Sequence, residues 1–270
     1  MKNHAPFLSL LGEVIFPEGC ALCGKALYSA AEARWGLCKA CRESLAARLS
    51  PEGLEKRCSL CGKPLISETG RCLACREGPE PSFDRIMPLF PYRGRYEKCL
   101  KAYKFGGRLK TGRFFAACLE RGLEILSETI PDFPAGAAWV PVPPRPGKIK
   151  KEGWDQIEYL ARLLGKKRAS GERELPGPPG DPPPGLPVLR CLKRLPSRNQ
   201  KELDRGERLR NLKGRIVCAG WPPGGRAPAL PVEAVLLDDV FTTGATMNEC
   251  ARALKDAGVL RVYGVCLCYD

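Results

Sequence analysis

The stretch 235–246 reads VLLDDVFTTGAT: an apolar run, two adjacent aspartates, and a short loop of threonines around one glycine. A continuous apolar run is what a strand shows when both faces of its sheet are covered. Ending it on Asp238 and Asp239 is costly, because neighbouring carboxylates repel and burying either without a partner is unfavourable. In open parallel sheets, ligands bind beyond the carboxyl ends of the strands, which is where these two acids stand. The loop Thr242, Thr243, Gly244, Ala245, Thr246 then opens a helix over MNECARALKDAG (247–258), closed by Gly258. Amides at a helix N-terminus, with Gly244 allowing close approach and the hydroxyls of Thr242, Thr243 and Thr246 as further donors, suit a phosphate. The carboxylates accept hydrogen bonds from vicinal sugar hydroxyls and favour a nearby Mg²⁺. A ribose 5-phosphate satisfies both halves at once. The plainer alternative, a solvated strand end, is disfavoured by the threonine–glycine loop that follows.

Working outward, AVLLDDV (234–240), the helix and LRVYGVCLCY (260–269) form one βαβ unit. Such a unit predicts an α/β fold with a mostly parallel sheet and helices on both faces. Upstream, AAWVPVP (137–143) reads as a buried strand ending at prolines, and FFAACLERGLEIL (114–126) as a helix. GWDQIEYLARLLGKK (153–167) places Ile157, Leu160, Ala161 and Leu164 at helical spacing. Two Pro/Gly-rich stretches, 168–187 and 221–231, read as exposed loops. REGPEPSF (76–83) reads as a linker, so the expected division is an N-terminal part over 1–80 and a C-terminal domain over 84–270.

The N-terminal part is a duplication. CALCGKAL (20–27) matches CSLCGKPL (58–65), and GLCKACRE (36–43) matches GRCLACRE (70–77). Of the 15 cysteines, Cys20, Cys23, Cys38 and Cys41 belong to the first copy and Cys58, Cys61, Cys72 and Cys75 to the second. Four thiolates per ion make a closed, structural Zn²⁺ site with no position open to substrate. Two zincs are expected, one per copy in sequence order, with a cross-braced arrangement as the alternative. Gly24 and Gly62 sit where a CxxCG knuckle turns sharply. Each copy is too short for a core of its own, so metal supplies much of its folding energy. Cys99, Cys118, Cys191, Cys218, Cys250, Cys266 and Cys268 read as small apolar residues.

The formal net charge is +14, and it is concentrated: residues 140–215 hold 19 lysines and arginines against 9 acids. That points to an anionic partner, a phosphorylated small molecule or nucleic acid, against the plainer reading of a solubilising surface. FLSLLGEVIF (7–16), broken by Gly12 and Glu13, is too short to span a bilayer and reads as an amphipathic helix. No membrane span and a cytoplasmic location are the expectations.

The strand–acid pair–loop pattern resembles the 5-phosphoribosyl 1-pyrophosphate (PRPP) motif of the type I phosphoribosyltransferases. The resemblance extends along the chain. A cysteine-rich head, LKAYKF (100–105), VPVP (140–143), GWDQ (153–156), the run Gln200, Leu203, Arg208, Asn211, and the acidic-pair loop follow in one order. That combination resembles the ComF family of phosphoribosyltransferase-like proteins associated with natural competence. What the resemblance implies is a type I phosphoribosyltransferase fold with a zinc-ribbon head, and PRPP and Mg²⁺ as ligands. By the same resemblance, Asp238 and Asp239 hold the ribose hydroxyls and Thr242–Thr246 the 5-phosphate. VPVPPR then lies near the pyrophosphate, with Lys104 or Arg145 as its cationic contact. The family's Arg-Gly-Phe-Asn-Gln stands here as EGWDQ, which puts Glu152 and Asp155 beside the implied phosphate channel, to be offset by Lys148, Lys150 or Lys151.

Two functions of different class follow. The first is Mg²⁺-dependent transfer of a phosphoribosyl group from PRPP with release of pyrophosphate, driven by charge stabilisation rather than a covalent nucleophile. His4, the one histidine, lies near the terminus and is a poor general base. The second is a non-catalytic adaptor in DNA uptake that binds single-stranded DNA or an uptake protein and keeps a PRPP-sensing site. Aromatic residues are 7% of the chain, and no stacking platform stands out. Tyr92, Tyr96, Tyr103 and Phe105 interleave with cations and are expected in the core or over the site.

Overall fold

The computed structural model describes residues 18–49, 56–130, 133, 136–170, 185–196, 212–219 and 230–270. Four strands form an all-parallel sheet: β1 (Arg85–Pro91), β2 (Ala138–Pro141), β5 (Glu233–Phe241) and β6 (Arg261–Tyr269), in the order β1-β6-β5-β2. A separate antiparallel pair joins β3 (Leu192–Arg194) to β4 (Ile216–Cys218). The central strands are buried on both faces, which is why β5 reads as an unbroken apolar run rather than an alternation.

Alternate residues of β5 serve different cores, as the two-residue period requires. Val235 and Leu237 pack with α5 (Thr111–Glu128), α4 (Gly94–Phe105) and α7 (Gln156–Ser170). Ala234 and Leu236 face the other way, onto α8 (Ala245–Asp256). Helices therefore cover both faces of the sheet. The strands and helices expected between residues 114 and 269 are present, with ends shifted by a few residues. Residues 96–105, to which the sequence reading assigned no element, lie in α4, whose buried side chains are Cys99, Leu100 and Tyr103.

The loop expected from residue 168 begins later, since α7 runs to Ser170; most of that loop, 171–184, lies outside the described residues. At its far end, Trp139 N–H donates to the Pro187 carbonyl and Leu189 N–H to the Trp139 carbonyl, each at 2.8 Å. Residues 187–189 thus run parallel to β2 and extend the sheet. The expected helix 7–16, His4, the stretch 221–229, and Gln200, Leu203, Arg208 and Asn211 also lie outside the described residues. Among the described residues, no helix is long and apolar enough to cross a membrane.

The cysteine-rich head is joined to the sheet rather than standing apart. Cys20, Leu22, Leu37, Cys38 and Cys41 belong to the core on the α5 face, while Cys58, Leu60 and Cys61 belong to the core on the α8 face. The second copy also lies along β1, an edge strand. Ile86 N–H donates to the Leu60 carbonyl at 2.9 Å, and Arg57 donates to the carbonyls of Pro88 and Leu89. An open sheet edge is a template for unwanted pairing, and this contact covers it.

Zinc sites and the carboxyl edge of the sheet

The eight cysteines gather as two groups of four, Cys20, Cys23, Cys38, Cys41 and Cys58, Cys61, Cys72, Cys75, with the sulfurs of each group all within 4.8 Å of one another. The pairing is sequential, one site per copy. The two sites repeat in detail. The third cysteine of each caps a helix: Cys38 precedes α2 (Lys39–Ala46), and Cys72 precedes α3 (Leu73–Glu77). Each then donates its backbone N–H to the first sulfur of its set, Cys20 or Cys58, at 3.4 Å. Burial alone would raise the Cys20 and Cys58 thiols, but neighbouring backbone amides outweigh it and bring both down to about 7. Tetrahedral thiolate sites of this kind fit structural Zn²⁺.

At the other end of the chain, β5 carries Asp238 and Asp239 to the carboxyl edge. Successive residues of a strand point to opposite faces. Asp239 turns to the α4/α7 side: Lys104 Nζ is 2.9 Å from its Oδ2 in a mostly buried ion pair, and Gln156 Nε2 donates to the same oxygen at 2.7 Å. Burial would lower the Lys104 ammonium, yet Asp239 and Asp238 carry it above its usual value. Asp238 accepts from the Asp239 backbone N–H at 2.8 Å. Burial, and then the charge of Asp239, push the Asp238 carboxyl up to about 7. The Asp239 amide and Lys104 offset that rise only in part, and neighbouring carboxylate oxygens of this kind suit Mg²⁺.

The loop after β5 takes the shape expected of it. Gly244 has φ +78°, and a Cβ there would stand 3.0 Å from the Phe241 ring. Ala245 begins α8, its amide donating to Thr243 Oγ1 at 3.3 Å, and Asn248 N–H donates to the Gly244 carbonyl at 2.8 Å. Thr242 is exposed; Thr243 and Thr246 are half-buried.

EGWDQ departs from the sequence expectation. Glu152 ends α6 (Lys148–Glu152) and is exposed. Asp155 is buried as the N-cap of α7: its Oδ1 accepts from Ile157 N–H at 2.9 Å and Glu158 N–H at 3.0 Å. Its Oδ2 pairs with Lys148 Nζ at 2.7 Å, and Lys148 also donates to Gln156 Oε1. Asp155 is thus consumed by a helix end and a lysine, and it anchors the glutamine that holds Asp239. An Asp two residues before the first apolar position of a helix was a readable cap signal.

Lys104 is engaged by Asp239, while Arg145 is exposed beyond β2. Tyr103 is fully buried and donates to the Gln156 carbonyl at 2.7 Å, and Tyr96 stacks on Phe90. Phe105 is 77% exposed and so lies outside the core, the first of its two expected places. Two residues that the sequence reading did not single out belong to this edge. Lys63, from the second zinc ribbon, donates to the Thr242 carbonyl at 3.1 Å. Arg194, on β3, is buried among charges that include Arg145 and Asp238.

Residues 11–78 match the family described as a double zinc ribbon domain. Among curated proteins, "Competence protein ComFC" of Streptococcus pneumoniae is 25% identical over 208 residues, 76% of each chain. "Competence protein F" of Haemophilus influenzae is 24% identical over 86% of this chain and 91% of its own. "DNA utilization protein YhgH" of Salmonella typhi is 24% identical over 93% of this chain and 97% of its own. The chain is thus a relative of the ComF competence proteins, with a double zinc ribbon at its N-terminal end.

Proposed function

We propose that the carboxyl edge of the sheet binds PRPP with Mg²⁺ and that the protein acts as a phosphoribosyltransferase in DNA uptake. The observation that carries this is the direct succession, in one chain segment, of Asp238, Asp239 and the Thr242–Thr246 loop at the start of α8. Asp238 and Asp239 accept from the ribose hydroxyls, and the loop amides and threonine hydroxyls hold the 5-phosphate. Bound Mg²⁺ supplies charge neutralisation for the pyrophosphate. In the transfer, the bond from ribose C1 to the pyrophosphate oxygen breaks and its electron pair leaves with that oxygen. A lone pair on the acceptor forms the new bond to C1, and the acceptor's proton passes to solvent. The Lys104–Asp239–Gln156 chain orients Asp239 before the sugar arrives. The role in DNA uptake rests on the names of the relatives, two competence proteins and a DNA utilization protein.

The test is ligand-dependent melting. PRPP with Mg²⁺ is expected to raise the melting temperature of the wild type, and Asp239→Asn to abolish the shift. No shift with either PRPP or ribose 5-phosphate removes the reading. Pyrophosphate release from PRPP across candidate acceptors then separates an enzyme from a sensor.

A non-catalytic DNA-binding role is the second reading, supported by the exposed Phe105, whose ring centre lies 5.7 Å from Lys104 Nζ. It requires binding of single-stranded DNA that weakens steeply as salt rises and that Phe105→Ala reduces.

A further inference from the structure

Residues 187–189 form the outer edge of the sheet, on the far side of β2 from β5 and its acid pair. Trp139 takes up the Pro187 carbonyl and the Leu189 N–H, so the backbone of Val188, between them, points away from β2. Among the described residues, nothing bonds to the Val188 N–H or carbonyl. An open strand edge of this kind is a template for one more strand. Pro187 lacks an N–H, but its backbone faces β2, so the outer side loses nothing by it.

A groove of about 430 Å³ lies between this edge and α7, with Pro187, Val188 and Arg190 on one wall. Ala161 and Gly165 lie one turn apart on the helix wall, flanked by Arg162 and Lys166. Packing does not require the glycine. In a helix interior, glycine is less stable than alanine. Among the described residues, a Cβ on Gly165 would meet only Val188 Cγ2, at 3.6 Å, an ordinary contact. What the missing side chain does is hold the helix and the strand edge open to each other.

Both walls carry cations. Arg190 pairs with Glu158 of α7, its Nε 2.9 Å from Oε2. Arg162 and Lys166 are exposed and have no ion-pair partner among the described residues. Among those residues no aromatic side chain lines the groove, so a nucleobase finds nothing to stack on. A phosphodiester backbone also lacks a donor for the Val188 carbonyl. A peptide supplies both a donor and an acceptor at every residue.

We infer that this groove docks an extended acidic peptide of a partner protein, which adds a strand to the sheet beside Val188. A peptide carbonyl accepts from the Val188 N–H, and a peptide N–H donates to the Val188 carbonyl. Alternate side chains of an extended peptide share one face, so acids at every second position meet Arg162 and Lys166 while the backbone passes Gly165. The inference is independent of the PRPP reading, because β2 separates the groove from the acid pair.

The test uses the full-length, zinc-loaded protein and fluorescence anisotropy with a labelled peptide of alternating glutamate and valine, about eight residues long. One control peptide has lysine for glutamate; another has N-methyl groups on alternate amides, which block the ladder and keep the charge. The wild type is expected to bind the acidic peptide, to lose about tenfold on N-methylation, and to ignore the lysine peptide. Arg162→Gln with Lys166→Gln weakens the acidic peptide by about fivefold. Gly165→Ala weakens it as well, yet melts no lower than the wild type, which separates a filled groove from a damaged fold. These variants respond to PRPP as the wild type does. Equal binding of the acidic and N-methylated peptides overturns the inference, since charge alone then suffices. So does the absence of binding up to about 1 mM. Oligothymidylate that binds more tightly than the peptide, and is lost with Arg162→Gln and Lys166→Gln, overturns it in favour of nucleic acid. A gain of about tenfold on Glu172→Gln, Glu174→Gln and Asp181→Asn assigns the groove to the chain's own segment 171–184 instead. Dimerisation that Gly165→Ala abolishes assigns it to a second copy.

Discussion

Lys63 and Thr242 are 179 residues apart in sequence, yet the lysine Nζ donates to the threonine carbonyl at 3.1 Å. The same ammonium donates to the carbonyl of Asp270 and lies 5.7 Å from the centre of the Phe241 ring. A zinc ribbon is thereby fastened to the loop that follows the acid pair. Lys63 stands two residues after the zinc ligand Cys61, so the position of the loop depends on the order of the knuckle.

Lys63→Met is expected to keep both zincs, lower the melting temperature modestly, and weaken ribose 5-phosphate binding several-fold. The stability loss should be about 1 kcal/mol, the scale of an exposed charge-assisted hydrogen bond. Metal analysis, melting and titration check the three parts.

The two knuckle glycines make a matched pair. Gly24 and Gly62 both have positive φ, +78° and +66°. A Cβ on Gly24 meets nothing within 4 Å, whereas one on Gly62 would stand 2.3 Å from the Ile86 carbonyl oxygen and 2.6 Å from Pro88 Cδ. Gly24→Ala is expected to cost only the backbone penalty, about 1–2 kcal/mol. Gly62→Ala pries the second ribbon off β1 and should cost at least about 3 kcal/mol, with increased aggregation from the uncovered edge. Chemical denaturation and light scattering distinguish them.

Asp155 should act as a cap rather than as a repulsive charge. Asp155→Ala removes two N-terminal hydrogen bonds and the Lys148 partner, with an expected loss of about 2–3 kcal/mol. Asp155→Asn keeps the cap acceptor and should lose less. If Asp155→Ala instead leaves stability unchanged and tightens phosphate binding, the charge faces the ligand after all.

Asp238 gives a pH signature. Its carboxyl is raised from 3.8 to about 7, by burial first and Asp239 second. Between those values the folded protein holds a proton that the unfolded chain has released, so this group's contribution to stability falls as pH rises from about 4 to about 7. Asp238→Asn cannot lose that proton. Its stability relative to wild type should therefore improve across that window, by on the order of 2–4 kcal/mol. Denaturation curves for both proteins at pH 5 and pH 8 check the sign. An unchanged difference between the two pH values would falsify the assignment.

Much of this was legible without coordinates because it is local. The ligand spacing of a CxxC knuckle is a property of a few consecutive residues, and the duplication repeated it, so both metal sets could be read directly, while the choice of sequential over cross-braced pairing came from the structure. The run from Val235 to Tyr269 declares its βαβ unit by apolar period and turn residues, and the acids fall at a strand end wherever the rest of the chain goes.

What the linear order could not decide is which distant groups meet those local units. Lys104 and Gln156 reach Asp239 from two different helices, and Lys63 reaches Thr242 from the far end of the chain. Asp155 reads as an intruding charge until the start of α7 is seen to consume it. Arg194 looks like any other cation of a basic stretch until the crossover carries it under cover. Sequence period governs which face a residue presents, because that depends on backbone geometry alone. Ion pairing and burial depend on the path of the chain between elements, and only the assembled sheet fixes that path.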